Sequence, residues 1–393
     1  MRRSALIIVL VPVLLVTGIW LGGHPGVLPE VVRDKLVDDG DAQVYEEAVD
    51  IIQRDYYRGV KREQLLDESL GAAVKSLDDQ FSNYFSPDDY ADFQEVTQGQ
   101  FSGVGMTVEE TEQGLRVMTV YDGSPADKGG LEPGDVVVAV NGRSIAGTSS
   151  EASTARIKGP AGTTVRLTVK SGKREREVEL ERAKVDIPVV ESSMERQGTR
   201  KVGHVHLAGF TSGAHGEVGQ AVRKLLRQGA DGIVLDLRDN GGGLLNEAVL
   251  VSSIFIREGK IVSTKGRSRP ERVYEATGGA IRTSVPVAVL VNRQSASASE
   301  IVTGALQDRK RATVVGARTF GKGVFQEIEP LSNGGALDIT VGEYFLPSGR
   351  NIGGGGVAKG DGIAPDVKAV DDPKTKPDEA LDEAVGVVLR DGT

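Results

Sequence analysis

Asn292–Gln326, NRQSASASEIVTGALQDRKRATVVGARTFGKGVFQ, decides how the rest of the chain is read. An apolar run, Val285–Val291, leads into three small hydroxyl residues, Ser295, Ser297 and Ser299, where a helix should begin. The helix is expected over about Glu300–Gln307, with Ile301, Val302, Ala305 and Leu306 on one face; a β-rich run, Ala312–Val315, follows, and then Lys322 between two glycines. A helix of about ten residues carries the chain roughly 15 Å away, and an extended return at ~3.3 Å per residue recovers that distance. A serine and a lysine are thereby able to converge. If Lys322 meets Ser297, its amine takes the hydroxyl proton and activates the oxygen for attack on a carbonyl. This requires a neutral lysine, a shift of about three units from ~10.4, which desolvation in an apolar pocket supplies. Phe320, Val324 and Phe325 are the residues from which such a pocket is expected.

Plainer readings compete. Ser297 followed by Glu300 fits a capping box, and a lysine between glycines fits an exposed turn. Gly316–Lys322 satisfies G-x-x-x-x-G-K, the opening of a P-loop, but Gly323 stands where the Mg²⁺-binding hydroxyl belongs and the run leads into a strand-like segment, so nucleotide binding is rejected.

SASASE and FGKGVFQ, at this separation, resemble the serine–lysine dyad of the C-terminal processing peptidases, the tail-specific proteases of serine peptidase family S41. The resemblance implies Ser297 as nucleophile, Lys322 as general base and Gln326 as a residue that orients the lysine. Ser295 and Ser299 are left as local capping and packing residues.

The 393 residues exceed one typical core, so several domains are expected. A net charge of −9 with no basic stripe argues against nucleic acid as a partner. With no cysteine, disulfides and thiol chemistry are excluded. Arg2 and Arg3 precede an apolar run, Ala5–Leu21, borderline in length for crossing a bilayer. The charges put that end in the cytoplasm; an uncleaved anchor is favoured over a cleaved signal peptide because no A-x-A-like site stands near Gly22–Pro29. Either way the bulk faces the extracytoplasmic side.

After a linker, Val44, Ala48, Ile51 and Ile52, then Leu65, Leu66, Leu70, Ala73 and Leu77, recur at helical spacing. LDDQFSNYFSP, Leu77–Pro87, resembles the family's LDPHSxY signature with its proline and histidine replaced; Tyr84 and Phe85 are read as packing residues without chemistry.

From Gln100 short β-like segments are punctuated by glycine, and FSGVG, SPADKGGLEPGD and VNG resemble a PDZ domain over Gln100–Ala183. Phe101, Ser102, Gly103, Val104 and Gly105 are the expected substrate-binding stretch, where freed backbone N–H groups form a nest for a terminal carboxylate and a substrate tail adds as a β-strand. The alternative is a tight strand entry with no ligand.

Beyond Val185–Gln197 strands and helices alternate, an α/β layout. LDLRDNGGGLL, Leu235–Leu245, is a strand ending in a glycine turn that opens a helix, and such N–H groups suit a developing oxyanion. The resemblance implies the Ala298 and Gly243 N–H groups as the two donors. His204 and His206 alternate on a strand but no carboxylate cluster of metal-ligand type accompanies them, and nothing supports His215 as a catalytic base. Asp236 and Asp239 flank Arg238 as turn and ion-pair residues. PDEALDEAVGVVLRDG, from Pro377, is expected to be a closing helix with a part in self-association.

The expectation is therefore an α/β multidomain chain: N-terminal membrane anchor (1–23), linker (24–40), helical module (41–99), PDZ-like β-rich domain (100–184), α/β serine protease core (185–372) and C-terminal helix (373–393). It is expected to act on protein or peptide substrates with exposed C-terminal tails, without metal or organic cofactor. A tail-binding scaffold with an inactive or gated core is the other reading.

Overall fold

The structure, a computed structural model, describes residues 40–371, 374–375 and 377–391. The anchor expected over 1–23 lies outside the described residues, among which no helix is long and apolar enough to cross a membrane. The described residues divide into two units, one up to Ala72 and one from Ala73 onward.

In the first unit α1 (Gly40–Asp55) is followed by α2 (Arg62–Lys75), which runs on into the second. Arg62 pairs with Glu46 and with Asp50, the latter at 2.9 Å. Val44, Ile51 and Ile52, expected on an apolar face, are exposed, and Val49 is the buried residue of α1.

The second unit opens with β1 (Asn83–Phe85) and α3 (Pro87–Gln98), the latter capped by Ser86 and closed by Gly99 in the left-handed conformation. β2 (Gln100–Gly103) leads into the β-rich domain: β3 (Met106–Thr111), β4 (Gly114–Val120), α4 (Pro125–Lys128), β5 (Val136–Val140), β6 (Arg143–Ser144), α5 (Ser150–Ile157), β7 (Thr164–Ser171) and β8 (Arg174–Glu181). Strand order is β3-β4-β5-β7-β8, with β6 on β5, so β3 is an edge. Val165, Leu167 and Val169 alternate inward along β7 and meet Leu115, Val137, Ile145 and Ile157 in a core of their own. β9 (Ala183–Asp186) pairs antiparallel with β2 and closes the domain at its base.

The remaining core holds β10 (Val190–Gln197), β11 (Arg200–Leu207), α6 (Ala214–Arg227), β12 (Gly232–Asp236), α7 (Leu245–Phe255), β13 (Lys260–Lys265), β14 (Arg272–Glu275), β15 (Val287–Val291), α8 (Ala298–Asp308), β16 (Thr313–Gly316), β17 (Val324–Pro330), β18 (Ala336–Phe345), β19 (Val367–Lys368) and α9 (Glu379–Asp391). A six-stranded sheet runs β10-β11-β12-β15-β16-β19, parallel from β11 onward. Its central strands β12 and β15 are buried on both faces, which is why they read as continuous apolar runs. Val205, Leu207, Ile233, Leu235, Val289 and Val314 pack under α6, α7 and α8; Val202, Val234, Ala288, Leu290 and Val315 pack under α9. α9 closes the core as expected, its apolar face taken up by the sheet. A second sheet centres on β18, which pairs with β1, β13 and β17.

Candidate active site

Neighbouring parallel strands deliver their loops side by side. β12 and β15 are paired through Asp236↔Leu290, so the turns that leave them, 237–244 and 292–297, lie against each other at the strands' C-terminal ends. Ser295 Oγ donates to Leu237 O at 2.7 Å, Ser299 Oγ to Asn240 O at 2.8 Å, and the Ala296 N–H to Asn240 O at 3.1 Å. Asn240 Nδ2 in turn donates to Leu207 O at 2.7 Å. Ser295 and Ser299 are therefore structural, as expected, and pin the two turns together.

Ser297 sits at the start of α8 with φ 54° and ψ −112°, a conformation that side-chain-bearing residues rarely adopt and that costs about 1–3 kcal/mol. Such strain persists only where the surroundings over-determine it. Here the surroundings are Gly242, where an added Cβ would lie 2.9 Å from both Ala296 O and Ser297 Cβ, and the Glu300 carboxylate. Glu300 is fully buried and accepts four hydrogen bonds: Ser297 N–H at 2.9 Å, Thr319 Oγ1 at 2.6 Å, Gly321 N–H at 2.7 Å and Lys322 N–H at 2.9 Å. The Ser297 and Lys322 amides end on the same oxygen, Oε2, so their nitrogens are no farther apart than twice 2.9 Å. Burial pushes the Glu300 carboxyl up, and the four donors pull it down. The capping box expected of Ser297 and Glu300 is present, and beyond it the Glu300 carboxylate reaches three donors that the capping pattern does not include. The Ser297 hydroxyl faces the buried Tyr344 hydroxyl, whose own ionisation burial pushes up.

Lys322 is half-buried, not an exposed turn lysine. Its flanking glycines are required by close backbone approach: a Cβ at Gly321 would lie 2.3 Å from Gly360 O, and one at Gly323 2.2 Å from Gly353 N. Burial is the main influence on the amine and lowers its pKa, opposed by the charges of Asp338, Asp79 and Glu300. The ring beneath Nζ is Phe81, 5.0 Å to its centroid. Of the expected pocket residues, Phe320 has its ring centroid 4.2 Å from Lys359 Nζ and Phe325 packs on Tyr344 at 5.6 Å, while Val324 is buried. Phe81 belongs to LDDQFSNYFSP, of which the sequence reading covers only Tyr84 and Phe85, as packing residues. Gln326 Nε2 donates to Thr340 Oγ1 at 2.9 Å, so its path to the lysine is indirect. Ser297 Oγ and Lys322 Nζ are not hydrogen-bonded to each other.

Among the described residues no hydrogen bond takes up the Ala298 or the Gly243 N–H. Gly242 lies against Ala298 N, at 3.1 Å from its would-be Cβ, while Gly243, at φ 139°, is pressed against Phe210 O. The Leu244 N–H reaches Phe210 O at 2.8 Å, and the Phe210 N–H reaches Gly242 O at 3.0 Å. Two N–H groups without an internal partner thus belong to the residue after Ser297 and to the glycine turn whose Gly242 packs on it.

The remaining candidates resolve as structure. His204 Nε2 lies 3.0 Å from Asp236 Oδ2, His215 Nδ1 lies 2.8 Å from Glu247 Oε2, and among the described residues no group of His, Asp and Glu is arranged to hold a metal. Gly316–Lys322 runs into a strand, not a helix.

In the β-rich domain the Ser102 N–H is already taken by Glu95 Oε1 at 3.1 Å. Val104 O and Gly105 O accept from Ala126 N–H and Tyr121 N–H, at 2.7 and 3.0 Å, and point into the domain. The Val104 and Gly105 N–H groups carry no internal bond among the described residues. They stand at the start of β3, the edge strand of this sheet. Gly105 has φ 84° and its Cβ would lie 2.2 Å from Ser124 Cβ, so only glycine fits there.

The family profile described as Peptidase family S41 matches residues 201–369, and the profile described as PDZ domain matches residues 116–171. Over 339 residues the chain is 34% identical to a probable CtpA-like serine protease of Staphylococcus aureus (strain bovine RF122 / ET3-1), covering 86% of this chain and 66% of that protein. The corresponding protein of Staphylococcus haemolyticus (strain JCSC1435) is 34% identical over 325 residues, 82% of this chain and 64% of that one. The chain therefore spans just under two thirds of the length of these curated relatives. Among solved structures, the photosystem II D1 C-terminal processing protease is similar at 31% identity and a TM-score of 0.49, covering 90% of this chain and 98% of that one. The S41 match takes in Ser297, Glu300, Lys322 and the 237–244 turn, and the PDZ match falls on the separately cored β-domain: the chain belongs to peptidase family S41 and carries a PDZ domain.

Proposed function

We propose that the protein is a serine endopeptidase that holds protein C-terminal tails in its PDZ domain and hydrolyses peptide bonds with Ser297 and Lys322. The neutral Lys322 amine takes the Ser297 proton; Oγ adds to the carbonyl carbon; the Ala298 and Gly243 N–H groups receive the oxyanion. The lysine ammonium then protonates the leaving amine, and water, deprotonated by the same amine, releases the acyl group. The observation that carries this reading is the Glu300 carboxylate, whose single oxygen Oε2 holds the backbone N–H of both proposed catalytic residues. Capture of a tail rests on the unpaired Val104 and Gly105 N–H groups beside the free edge of β3. Ser297→Ala and Lys322→Ala are each expected to lower turnover of a tailed, unfolded substrate by about 10⁴-fold or more. Retained turnover in either variant rejects the assignment.

A second reading, a tail-binding protein whose hydrolytic centre is gated, is favoured by one observation: the Ser297 hydroxyl faces Tyr344 while the Lys322 amine lies over Phe81. Purified protein that binds a tailed substrate without shortening it would select this reading. Residues 1–23 complete the proposal as an uncleaved anchor that leaves the catalytic unit on the extracytoplasmic side; added protease digesting that unit in intact cells is the expected result.

A further inference from the structure

The surroundings of the Lys322 amine come from a part of the chain far from the lysine in sequence. Phe81 provides the ring beneath Nζ, and the turn that holds Phe81 also holds Asp79. Asp79 Oδ1 accepts the Phe81 N–H at 2.9 Å, and Oδ2 accepts Ser82 Oγ at 2.6 Å. Ser82 Oγ accepts the Thr340 N–H at 3.0 Å, which stitches this turn to β18. On β18, Asp338 stands opposite Asn83 in the β1 register, and the Asn83 side chain reaches its carboxylate. Thr340, which receives the Gln326 amide, has its hydroxyl turned to Asp79. A chain of contacts therefore runs from Gln326 through Thr340 to Asp79.

Two physical effects act on the amine in opposite directions. Burial favours the neutral form, and the carboxylates favour the ammonium. The charged groups that face Lys322 are Asp338 from β18, Asp79 from the 79–82 turn and Glu300 from α8; Asp79 also faces Asp338. None of them makes a direct ion pair with Nζ. Glu300 differs from the other two because four donors already claim its oxygens. Asp79 and Asp338 are thus the adjustable pair.

We propose that Asp79 and Asp338 are positioning residues for Lys322, which hold its amine over Phe81 and set how readily it gives up its proton. The inference rests on the reading of Lys322 as general base. It also gives LDDQFSNYFSP and Gln326 a shared part in the site: they build and brace the acidic wall that the lysine faces.

The test is the pH profile of kcat/KM for a short untailed peptide with the full chain, comparing Asp338→Asn, Asp79→Asn, the double variant and Asp338→Glu. A base must be neutral to act, so activity rises as the lysine loses its proton. Removing a nearby negative charge makes that loss easier, and the rising limb is expected at lower pH in each asparagine variant and lower still in the double variant. At a fixed pH on that limb the gain is roughly threefold to tenfold per charge removed. Asp338→Glu restores the charge and is expected to bring the limb back toward wild type. A purely structural role lowers the rate at every pH and leaves the limb in place, and that result overturns the inference. If the asparagine variants are inactive, NMR titration of the Lys322 ε-carbon in a Ser297→Ala background gives the same answer; an unmoved midpoint again overturns it. Full activity of Lys322→Ala sinks the functional reading instead, so the two failures are distinct.

Discussion

Two cations in the core stand among carboxylates, and they are treated in opposite ways. Arg238, at the end of β12, has every guanidinium nitrogen on an acid: Nε to Asp236 Oδ1 at 3.0 Å, Nη1 to Asp371 and Asp378 at 2.9 Å each, and Nη2 to Asp236 Oδ2 at 2.7 Å and Asp378 Oδ2 at 2.8 Å. The same acids cap α9, because Asp371 accepts the Ala380 N–H and Asp378 the Leu381 N–H, at 2.9 and 2.8 Å. Lys322 has carboxylates in view and a direct partner in none. Complete pairing fixes a charge and makes it a structural joint. Incomplete pairing leaves a group able to change its proton, which is what a base requires.

The largest break in this comparison is expected at the paired end. Arg238→Met leaves Asp236, almost fully buried, and the two caps of α9 without their counter-ion, a loss of about 3–5 kcal/mol in denaturant unfolding. Peptide hydrolysis at low temperature, where the variant is still folded, is expected to remain, since Arg238 touches neither Ser297 nor Lys322. A variant that unfolds like wild type shows that the joint contributes nothing net.

At the unpaired end the charge that must not move is that of Glu300. Glu300→Gln retains the volume but turns one of two acceptor oxygens into a donor that faces N–H groups. Either the Ser297–Lys322 tether or the link to Thr319 and Gly321 is lost. A displacement of about 1 Å is enough to cost roughly 100-fold in kcat. The expected outcome is that loss in single-turnover hydrolysis with KM little changed. An unchanged kcat removes Glu300 from the positioning of the site.

The layers of the core were legible in the sequence because strands buried on both faces must be apolar throughout, as in GIVLD and VAVLV. The serine and lysine were legible because hydroxyl-rich SASASE and a lysine between glycines are each unusual. The surroundings of the lysine were not. Phe81 and Asp79 lie more than two hundred residues upstream and reach the site only through the pairing of β1 with β18, a long-range register that no local period announces. Glu300 was visible as a letter but not as a four-way acceptor, since three of its donors come from the loop beyond the helix. The anticipated wall of Phe320, Val324 and Phe325 followed sequence proximity, whereas Phe320 lies under Lys359 and Phe325 packs on Tyr344.

The smallest expected effect separates the two regions by pH. Asp236, held by Arg238 and His204 against the cost of burial, is lowered to about 2; Asp338, with burial dominant and Lys322 only partly offsetting it, is raised to about 6. The unfolded chain binds protons at ~3.9 in both cases. Below its unfolded value Asp236 costs the native state its advantage, so the stability it contributes is present above about pH 4 and is lost as pH falls toward 2, on the order of 2–3 kcal/mol. Asp338 has the opposite sign. The native state keeps its proton longer than the unfolded chain, so the stability it contributes is present below about pH 4 and is lost as pH rises through about 6. Its half-exposed carboxyl makes this the weaker of the two slopes. Urea unfolding followed from pH 2 to 8 is expected to flatten below pH 4 in Asp236→Asn and to flatten between pH 4 and 6 in Asp338→Asn. If Asp338→Asn leaves the pH 4 to 6 slope untouched, the charge of Asp338 is solvated like a surface carboxylate, and the contrast between the closed joint at Arg238 and the open acidic wall at Lys322 loses its electrostatic basis.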